Sequence, residues 1–285
     1  MSETVPPLVQ ARGLSKKYGS RIALDHVNFS VEAGRIVGLI GPNGAGKTSA
    51  LRAILGLTCY EGDLSVLGRE PFGNRAALML EATFIADIAV LPGWLRVDQA
   101  VDFLDGVHPQ FRRERALAML AKMQIAGRRR IRELSKGMKT LVHLALTMAI
   151  DAKLLVLDEP TLGLDILARR GFYDALVNDY MDATRSILIT THQVEEVENL
   201  LTDILFIDKG RIVLDCSLEQ IAARYAAVAV SEEHVAAARA ENPFYERPMP
   251  GKKVLYFEHP DFQRLASFGE VLTPSVSDLF VAKLS

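Results

Sequence analysis

The stretch RIVGLIGPNGAGKTSALRAIL, residues 35–55, decides the fold class of this chain. The apolar run over residues 36–40 predicts a short buried strand, and apolar residues lie at helical spacing over residues 51–55. Between them, residues 41–48 match the pattern G-x-x-x-x-G-K-[ST] at every specified position. A strand, this loop and a helix in that order predict a polyphosphate site. The alternative is a glycine-rich turn that binds nothing.

The residue types of the loop suit phosphate chemistry. Glycines keep side chains away from the backbone N–H groups, which face the phosphate oxygens together with the positive end of the following helix. Lys47 places a positive charge near the β- and γ-phosphates, and the Thr48 hydroxyl can ligate Mg²⁺. The predicted nucleotide-binding residues of the loop are Gly41, Pro42, Asn43, Gly44, Ala45, Gly46, Lys47, Thr48 and Ser49.

Two more apolar runs, residues 154–157 and 186–189, each follow a helical stretch. Short apolar strands that alternate with helices predict an α/β fold whose parallel sheet is covered on both faces. Ligands bind such sheets beyond the carboxyl ends of the strands. Thr190 and Thr191 lie at those ends, and so do three candidates for catalysis, Asp158, Glu159 and His192.

These three residues are the candidate catalytic group. Asp158 can hold Mg²⁺ directly or through water, Glu159 can polarise the attacking water as a general base, and His192 can contact a γ-phosphate. Each has a structural alternative, because acids are common at strand ends and a lone histidine is more often packed or exposed. The phosphate loop earlier in the chain favours the catalytic interpretation.

A second anion site is predicted at LSKGM, residues 134–138. Ser135 stands where the N-cap of the next helix should be, and Gly137 in its first turn allows close approach to the helix amides. A serine hydroxyl beside a helix N-terminus is suited to binding an anion. The alternative is an ordinary capped helix.

Together these elements resemble the ATPase subunit of ABC transporters, in the family's order, over residues 8 to about 225. Residues 41–48 are similar to its Walker A loop, residues 134–138 to its LSGGQ signature and residues 154–159 to its Walker B strand. The joint pattern is specific, although each short motif alone is not.

The resemblance implies roles for further residues. Asp165 lies in the D-loop, His192 is the switch histidine, and Tyr18 stacks on adenine, with simple packing as the alternative for Tyr18. The resemblance also implies ATP and Mg²⁺ as ligands. It further implies a head-to-tail dimer, in which Ser135 and Gly137 of one copy cover the ATP held by the phosphate loop of the other.

The implied fold is an α/β P-loop NTPase of the ABC cassette type. It has a RecA-like parallel-sheet core, an N-terminal antiparallel β subdomain and an inserted α-helical subdomain over about residues 75–135. We expect the ATPase domain to span residues 1–225. Helical spacing over residues 231–240, several prolines and an apolar run predict a small C-terminal α+β appendage over residues 226–285.

The sequence departs from the family pattern at three positions. Lys136 stands where the signature usually has glycine, which adds positive charge near a helix end that faces phosphate, and Thr140 stands in place of a frequent glutamine. Asp87 falls where the family has the glutamine of its Q-loop. A carboxylate can ligate Mg²⁺, so Asp87 is a candidate metal ligand, but it cannot donate a hydrogen bond as an amide does. This puts the coupling between nucleotide and helical subdomain in question.

Composition limits the partners. The 285 residues carry 33 Lys+Arg and 35 Asp+Glu, a net charge of −2, which gives no support for nucleic-acid binding. The two cysteines fit a reducing compartment, and there is neither a secretory signal pattern nor an uninterrupted apolar run of about 18 residues. Three consecutive arginines at residues 128–130 predict a solvated face, or a contact with a membrane partner or its lipid headgroups.

We therefore predict an ATP-hydrolysing subunit of an ABC transporter. It would form a homodimer and bind the cytoplasmic face of the membrane through separate integral membrane subunits, with no nucleic-acid partner. The appendage with residues 277–282 looks more like the exporter branch, so the expected cargo is a small molecule, drug, peptide or lipid. The alternatives are a soluble ABC-type ATPase acting on DNA or ribosomes and a regulatory nucleotide sensor.

Overall fold

The computed structural model describes residues 6–86, 91–162 and 164–284, whose strands form three sheets. The strands are β1 (Val9–Tyr18), β2 (Arg21–Val31), β3 (Ile36–Ile40), β4 (Glu61–Val66), β5 (Ala82–Ile85), β6 (Leu154–Asp158), β7 (Ser186–Thr191), β8 (Asp203–Asp208), β9 (Arg211–Ser217), β10 (Tyr225–Ser231), β11 (Tyr245–Met249), β12 (Lys252–Glu258) and β13 (Val271–Leu272). The α-helices are α1 (Lys47–Ile54), α2 (Arg75–Leu78), α3 (Val97–Val107), α4 (Arg113–Lys122), α5 (Lys136–Met148), α6 (Ile166–Ala175), α7 (Leu218–Arg224), α8 (Glu232–Arg239), α9 (Phe262–Leu265) and α10 (Val276–Leu284). Across these ranges, no helix combines the length and the apolar character needed to span a bilayer.

The central sheet has the strand order β5-β6-β7-β3-β8-β9. Its strands are parallel except β9, which is antiparallel to β8. The register places Ile40 of β3 beside Thr191 of β7, and Asp158 of β6 beside Thr190 of β7. The carboxyl ends of these three strands therefore meet at one edge. The predicted parallel-sheet core is confirmed.

Both faces of the central sheet are buried, because successive residues of its strands pack into two different hydrophobic clusters. Leu154 and Val156 belong to the cluster shared with α1 and the first sheet, whereas Leu155 and Leu157 belong to the cluster shared with α5 and α6. This explains why the strands are continuous apolar runs and do not alternate with polar residues. The first sheet, of order β2-β1-β4, is antiparallel, as expected.

The region predicted as a helical insertion, residues 75–135, contains one strand of the central sheet. Ala82–Ile85 forms β5, which pairs in parallel with β6. Only four residues long, β5 offers too little periodicity to be recognised among the surrounding helical spacing. The helical insertion therefore follows β5, and α3 and α4 are its main helices.

The C-terminal part of the chain forms a second antiparallel sheet, of order β11-β12-β10-β13, starting at Tyr225. The predicted helix near residues 231–240 is α8, which packs on β10 and β12. The last helix, α10, contacts both this sheet and the central part of the chain. Its buried residues Val276 and Leu279 belong to the large cluster of the central sheet.

Candidate active site

The phosphate loop lies between β3 and α1, with tight packing against neighbouring backbone. A Cβ on Gly41 would lie 2.3 Å from the carbonyl oxygen of Ile207, and one on Gly46 would lie 2.5 Å from that of Ala23. Gly46 also has a φ of +119°, which side chains rarely allow. These two glycines are thus required by the fold around the loop, in addition to any need of a bound phosphate.

Lys47 is buried at the start of α1, with a side chain only 7% exposed. Its ammonium group donates to the carbonyl oxygens of Gly41 at 2.6 Å and Pro42 at 3.4 Å. It also forms an ion pair with Glu159, at 3.3 Å between Nζ and Oε1. The fold therefore holds the cation of the loop against the acid that follows β6.

Asp158 and Glu159 are fixed by Thr190 of the neighbouring strand. The Thr190 hydroxyl donates to Oδ1 of Asp158 at 2.6 Å, and the backbone N–H of Glu159 donates to the same hydroxyl at 3.2 Å. Asp158 is buried, and Glu159 has a φ of +47°, in the left-handed region. The sequence placed Thr190 at this edge of the sheet but gave it no role, and the structure pairs it directly with Asp158 on the neighbouring strand.

His192 contacts the candidate general base. Its Nδ1 lies 3.0 Å from Oε2 of Glu159, while Oε1 of the same carboxylate faces Lys47. The carboxylate thus bridges the ammonium group and the imidazole. Such an arrangement orients both oxygens of the carboxylate.

These groups line one cleft of about 660 Å³ at the carboxyl edge of the central sheet. Arg21 and Arg52 line it too, and neither was assigned from the sequence. Arg52 could have been found, because it follows Thr48 by four residues and thus lies on the same face of α1. Arg21 carries no such signal, since the pairing of β2 with β1 brings it there. The cleft also contains the following predicted residues: Tyr18, Pro42, Asn43, Gly44, Gly46, Lys47, Thr48, Ser49, Asp158, Glu159 and His192.

Tyr18 lies at the outer end of this cleft, with 42% of its surface exposed. Partial burial acts to raise the pKa of its phenol, but hydrogen bonds with Ser49 and Arg52 outweigh it, so the pKa of Tyr18 is lowered. The ammonium group of Lys16 lies 4.9 Å from the centre of the ring. The phenol is thereby fixed while its ring remains accessible.

Ser135 and Gly137 lie outside the cleft of their own chain. The hydroxyl of Ser135 accepts a hydrogen bond from the N–H of Met138 at 3.2 Å, which confirms the predicted N-cap of α5. Ser135 is exposed, and Gly137 is half-buried against Ala168 of α6. The structure therefore does not bring this helix end to the cleft of the same chain.

The D-loop segment presents apolar side chains to solvent. Asp165 caps α6, since its Oδ1 accepts from the N–H of Ala168 at 2.8 Å. The next two residues, Ile166 and Leu167, are 80% and 82% exposed. Like Ser135 and Gly137, Asp165 is not part of the cleft. The predicted ligand Asp87 falls outside the described residues.

The side chains of the cleft suit a magnesium ion that is ligated partly by the protein and partly by a phosphate. Thr48 and Asp158 both line the cleft, and they offer a hydroxyl and a carboxylate oxygen. Within residues 6–86, 91–162 and 164–284, no group of three or more His, Cys, Asp or Glu side chains could hold a metal by itself. Mg²⁺ is typically held by one or two protein oxygens, with phosphates and water completing its shell.

The comparisons with known proteins agree with this geometry. A family model for ABC transporters matches residues 24–162. The Nod factor export ATP-binding protein I of Mesorhizobium japonicum is 34% identical over 219 residues, 73% of this chain and 62% of that protein. Its counterpart from Cupriavidus metallidurans is 32% identical over 73% of this chain and 70% of that protein. This chain belongs to the ATP-binding subunits of ABC transporters.

Solved structures extend the likeness to the fold. An ATP-binding subunit of an ABC transporter superposes with a TM-score of 0.68 at 26% identity, over 75% of this chain and 91% of that one. A bacterial Atm1-family ABC exporter with ATP bound gives a TM-score of 0.66 at 21% identity, over 75% of this chain and 39% of that one. The predicted family, its ATPase class and the ABC cassette fold are confirmed.

Proposed function

We propose that this subunit hydrolyses ATP in the cleft around Lys47 and that the energy drives export through separate integral membrane subunits. The observation that carries the proposal is the bridging carboxylate of Glu159, 3.3 Å from Lys47 and 3.0 Å from His192. One cleft contains Lys47, a cation for the phosphates, together with Glu159, an acid for the water, and His192 beside that acid.

The phosphate loop binds the triphosphate. Its exposed backbone amides and the N-terminus of α1 attract the phosphate oxygens, and Lys47 adds a full positive charge at the γ-phosphate. Tyr18 provides a ring for adenine, fixed by its hydrogen bonds at the cleft edge. These groups bind and orient the nucleotide.

The hydrolytic step uses Glu159 as a general base. Water attacks the γ-phosphorus while Glu159 accepts its proton, the bond to the β-phosphate oxygen breaks, and ADP and phosphate leave. General bases contribute about 10² to 10⁴ in rate. His192 orients the carboxylate through Nδ1, and it contacts the γ-phosphate. Thr48 and Asp158 would hold Mg²⁺, which neutralises charge on the phosphate oxygens when bound.

The proposed active form is a head-to-tail dimer. Ser135 and Gly137 are separated from the cleft of their own chain, yet the capped helix end is suited to binding an anion. Exposed Ile166 and Leu167 next to Asp165 supply an apolar surface for a second copy. Each copy would then complete the site of the other.

Export is the direction that the relatives support. Proteins named as Nod factor export ATP-binding proteins align with 73% of this chain. The proposed cargo is a small molecule, drug, peptide or lipid, and the subunit is proposed to bind the cytoplasmic face of the membrane. The test is to find a multi-span membrane protein that co-purifies with this subunit and to compare ATP-dependent efflux of such cargo from cells with and without this subunit. Unchanged efflux after deletion of this subunit would contradict the proposal.

Hydrolysis itself is tested by Glu159→Gln. The amide keeps the shape of the side chain but cannot accept the proton, so we expect phosphate release to fall by at least about 10²-fold. ATP binding should persist, and a nucleotide-dependent dimer should accumulate on size-exclusion chromatography. A variant that hydrolyses ATP at the wild-type rate would remove Glu159 from the role of general base.

A further inference from the structure

The C-terminal helix α10 packs against the segment that carries His192. This segment, residues 192–201, joins β7 to β8 through two short 3₁₀ turns. Val276 and Leu279 of α10 are buried in the same hydrophobic cluster as Val194 and Val197 of the segment. A helix about eighty residues further along the chain thus covers the residues that follow the switch histidine.

Polar and aromatic contacts fix this packing. The N–H of Val276 donates to Oε1 of Glu198 at 2.7 Å, and the hydroxyl of Ser277 donates to Oε1 of Glu195 at 3.4 Å. The ring of Phe280 packs edge-on against Phe206 of β8, with 5.3 Å between the ring centres. Helix α10 therefore donates hydrogen bonds to two glutamates of the segment. Phe280 packs the same helix against the central sheet.

The other side of the same segment contacts the D-loop region. Glu196 forms an ion pair with Arg169 of α6 and accepts a hydrogen bond from the hydroxyl of Thr161 at 3.3 Å. Thr161 follows Glu159 by two residues and also bonds to the hydroxyl of Tyr173 at 3.0 Å. The segment is thus attached to α10 on one side and to the chain just after Glu159 on the other.

His192 lies between the active-site cleft and the contact of its segment with α10. It lines the active-site cleft, and it also lines a cavity of about 290 Å³ together with Ser277 and Phe280 of α10. At the cleft, its Nδ1 lies 3.0 Å from Glu159. A displacement of the segment would change that contact, because the imidazole moves with its backbone.

We infer that α10 is a strut that sets the position of His192 relative to Glu159, with Phe280 and Glu198 as positioning residues. The inference rests on the proposed function, in which His192 orients the general base. It assigns the appendage a part in the hydrolytic step: α10 is bonded to the appendage sheet by Lys283 with Glu258 at 2.7 Å and by Arg247 with Asp278 at 3.0 Å. The appendage and the active site therefore share one helix.

Phe280→Ala tests the strut, with Phe262→Ala as the matched control. Phe262 is an exposed phenylalanine of the appendage, on α9. We expect Phe280→Ala to lower kcat for ATP hydrolysis by about tenfold, since misplacement of a catalytic group by a fraction of an ångström is costly. KM for ATP should stay unchanged, because the phosphate loop and Tyr18 are untouched. Equal kcat values in the two variants would overturn the inference.

A double variant separates positioning from a general loss of structure. If Phe280 acts through His192, adding Phe280→Ala to His192→Ala should cause no further loss of hydrolysis, measured with radiolabelled ATP. A full additional tenfold loss would overturn the inference. Failure of the proposed function looks different, because His192→Ala alone would then hydrolyse ATP at the wild-type rate.

The hydrogen bond at Glu198 is tested by a pair of variants. Glu198→Gln keeps an oxygen that accepts from Val276, whereas Glu198→Ala removes it. We expect Glu198→Gln to retain kcat near the wild-type value and Glu198→Ala to lose about as much as Phe280→Ala. Equal losses in the two variants would contradict the role given to this hydrogen bond.

Discussion

Glu159 combines an unusual backbone with two charged contacts. Its φ of +47° places a non-glycine residue in the left-handed region, at a cost of about 1–2 kcal/mol. Its N–H donates to Thr190, and its carboxylate contacts Lys47 and His192. The surrounding bonds thus hold a strained residue at the centre of the cleft, which is where strain is commonly found in enzymes.

Lys47→Ala should weaken nucleotide binding itself. The buried ammonium group is the positive charge that we assign to the γ-phosphate, so we expect the Kd for ATP to rise by at least about tenfold, or ~1.4 kcal/mol. Fluorescent ATP titration measures it. Lys122→Ala is the control, because it removes an exposed lysine paired with Asp179 at 2.8 Å, far from the cleft. Equal affinities in the two variants would contradict the assigned phosphate cradle.

The sequence identified most of the residues in the cleft because their motifs are short and local. It could not identify Arg21, since only the pairing of β2 with β1 brings this residue to the loop. It also explained the loop glycines incompletely. A side chain on Gly41 would collide with the carbonyl group of Ile207, and one on Gly46 would collide with that of Ala23. Each of these carbonyl groups is distant in sequence from the glycine that it contacts.

At the scale of elements, α5 depends on its serine cap. The hydroxyl of Ser135 accepts a hydrogen bond from the N–H of Met138. Because Ser135 is exposed, we assign it a second role, contact with the ATP bound by another copy of the chain. The two roles can be separated, because aspartate is as good an N-cap as serine but carries a negative charge.

Ser135→Ala and Ser135→Asp should therefore behave differently. We expect the alanine variant to lose about 1 kcal/mol of unfolding free energy and the aspartate variant to keep it. Both should lose ATP hydrolysis, the aspartate at least as much, because its charge repels the triphosphate. Urea unfolding and phosphate release measure the two effects.

Ser217→Ala is the control for this pair. Ser217 caps α7 by the same kind of bond, accepting from the N–H of Gln220 at 3.2 Å. It should lose similar stability with no effect on hydrolysis. Wild-type hydrolysis by Ser135→Asp would show that this helix end does not face a phosphate.

At the scale of the molecule, Glu258 joins α10 to the appendage sheet. Burial acts to raise the pKa of Glu258, but hydrogen bonds from Lys283 and Arg224 outweigh it and lower the pKa from 4.5 to about 2. The folded chain therefore holds this carboxylate charged where the unfolded chain would protonate it. Its stabilising contribution is complete above pH 4.5 and is lost as the pH falls toward 2.

Glu258→Gln should consequently destabilise the protein in a pH-dependent way. We expect a loss of about 2 kcal/mol of unfolding free energy near pH 7, allowing for partial exposure, that shrinks by about half near pH 3. Urea unfolding at the two pH values measures it. Glu233→Gln, at an exposed position on α8, is the control. A difference from wild type that does not depend on pH would contradict the assigned ion pairs.

The sequence did not predict which distant segments of the chain pack together. The alternation of apolar runs with helices predicted the parallel sheet, because this period is local. The strand β5 could not be predicted, since a four-residue strand has little periodicity. The packing of α10 against the central sheet could not be predicted either. The contact between Phe280 and Phe206 joins residues far apart in the chain, and no local pattern announces it.

The shared site between two copies is tested most directly by mixing two inactive variants. Lys47→Ala lacks the phosphate cradle but keeps the capped helix end, and Ser135→Asp has the reverse defect. A mixed dimer would hold one intact site, built from the cradle of one copy and the helix end of the other. We predict that the mixture regains about a quarter of the wild-type rate of phosphate release, since half the dimers are mixed and each has one working site. A mixture no more active than either variant alone would contradict the head-to-tail dimer.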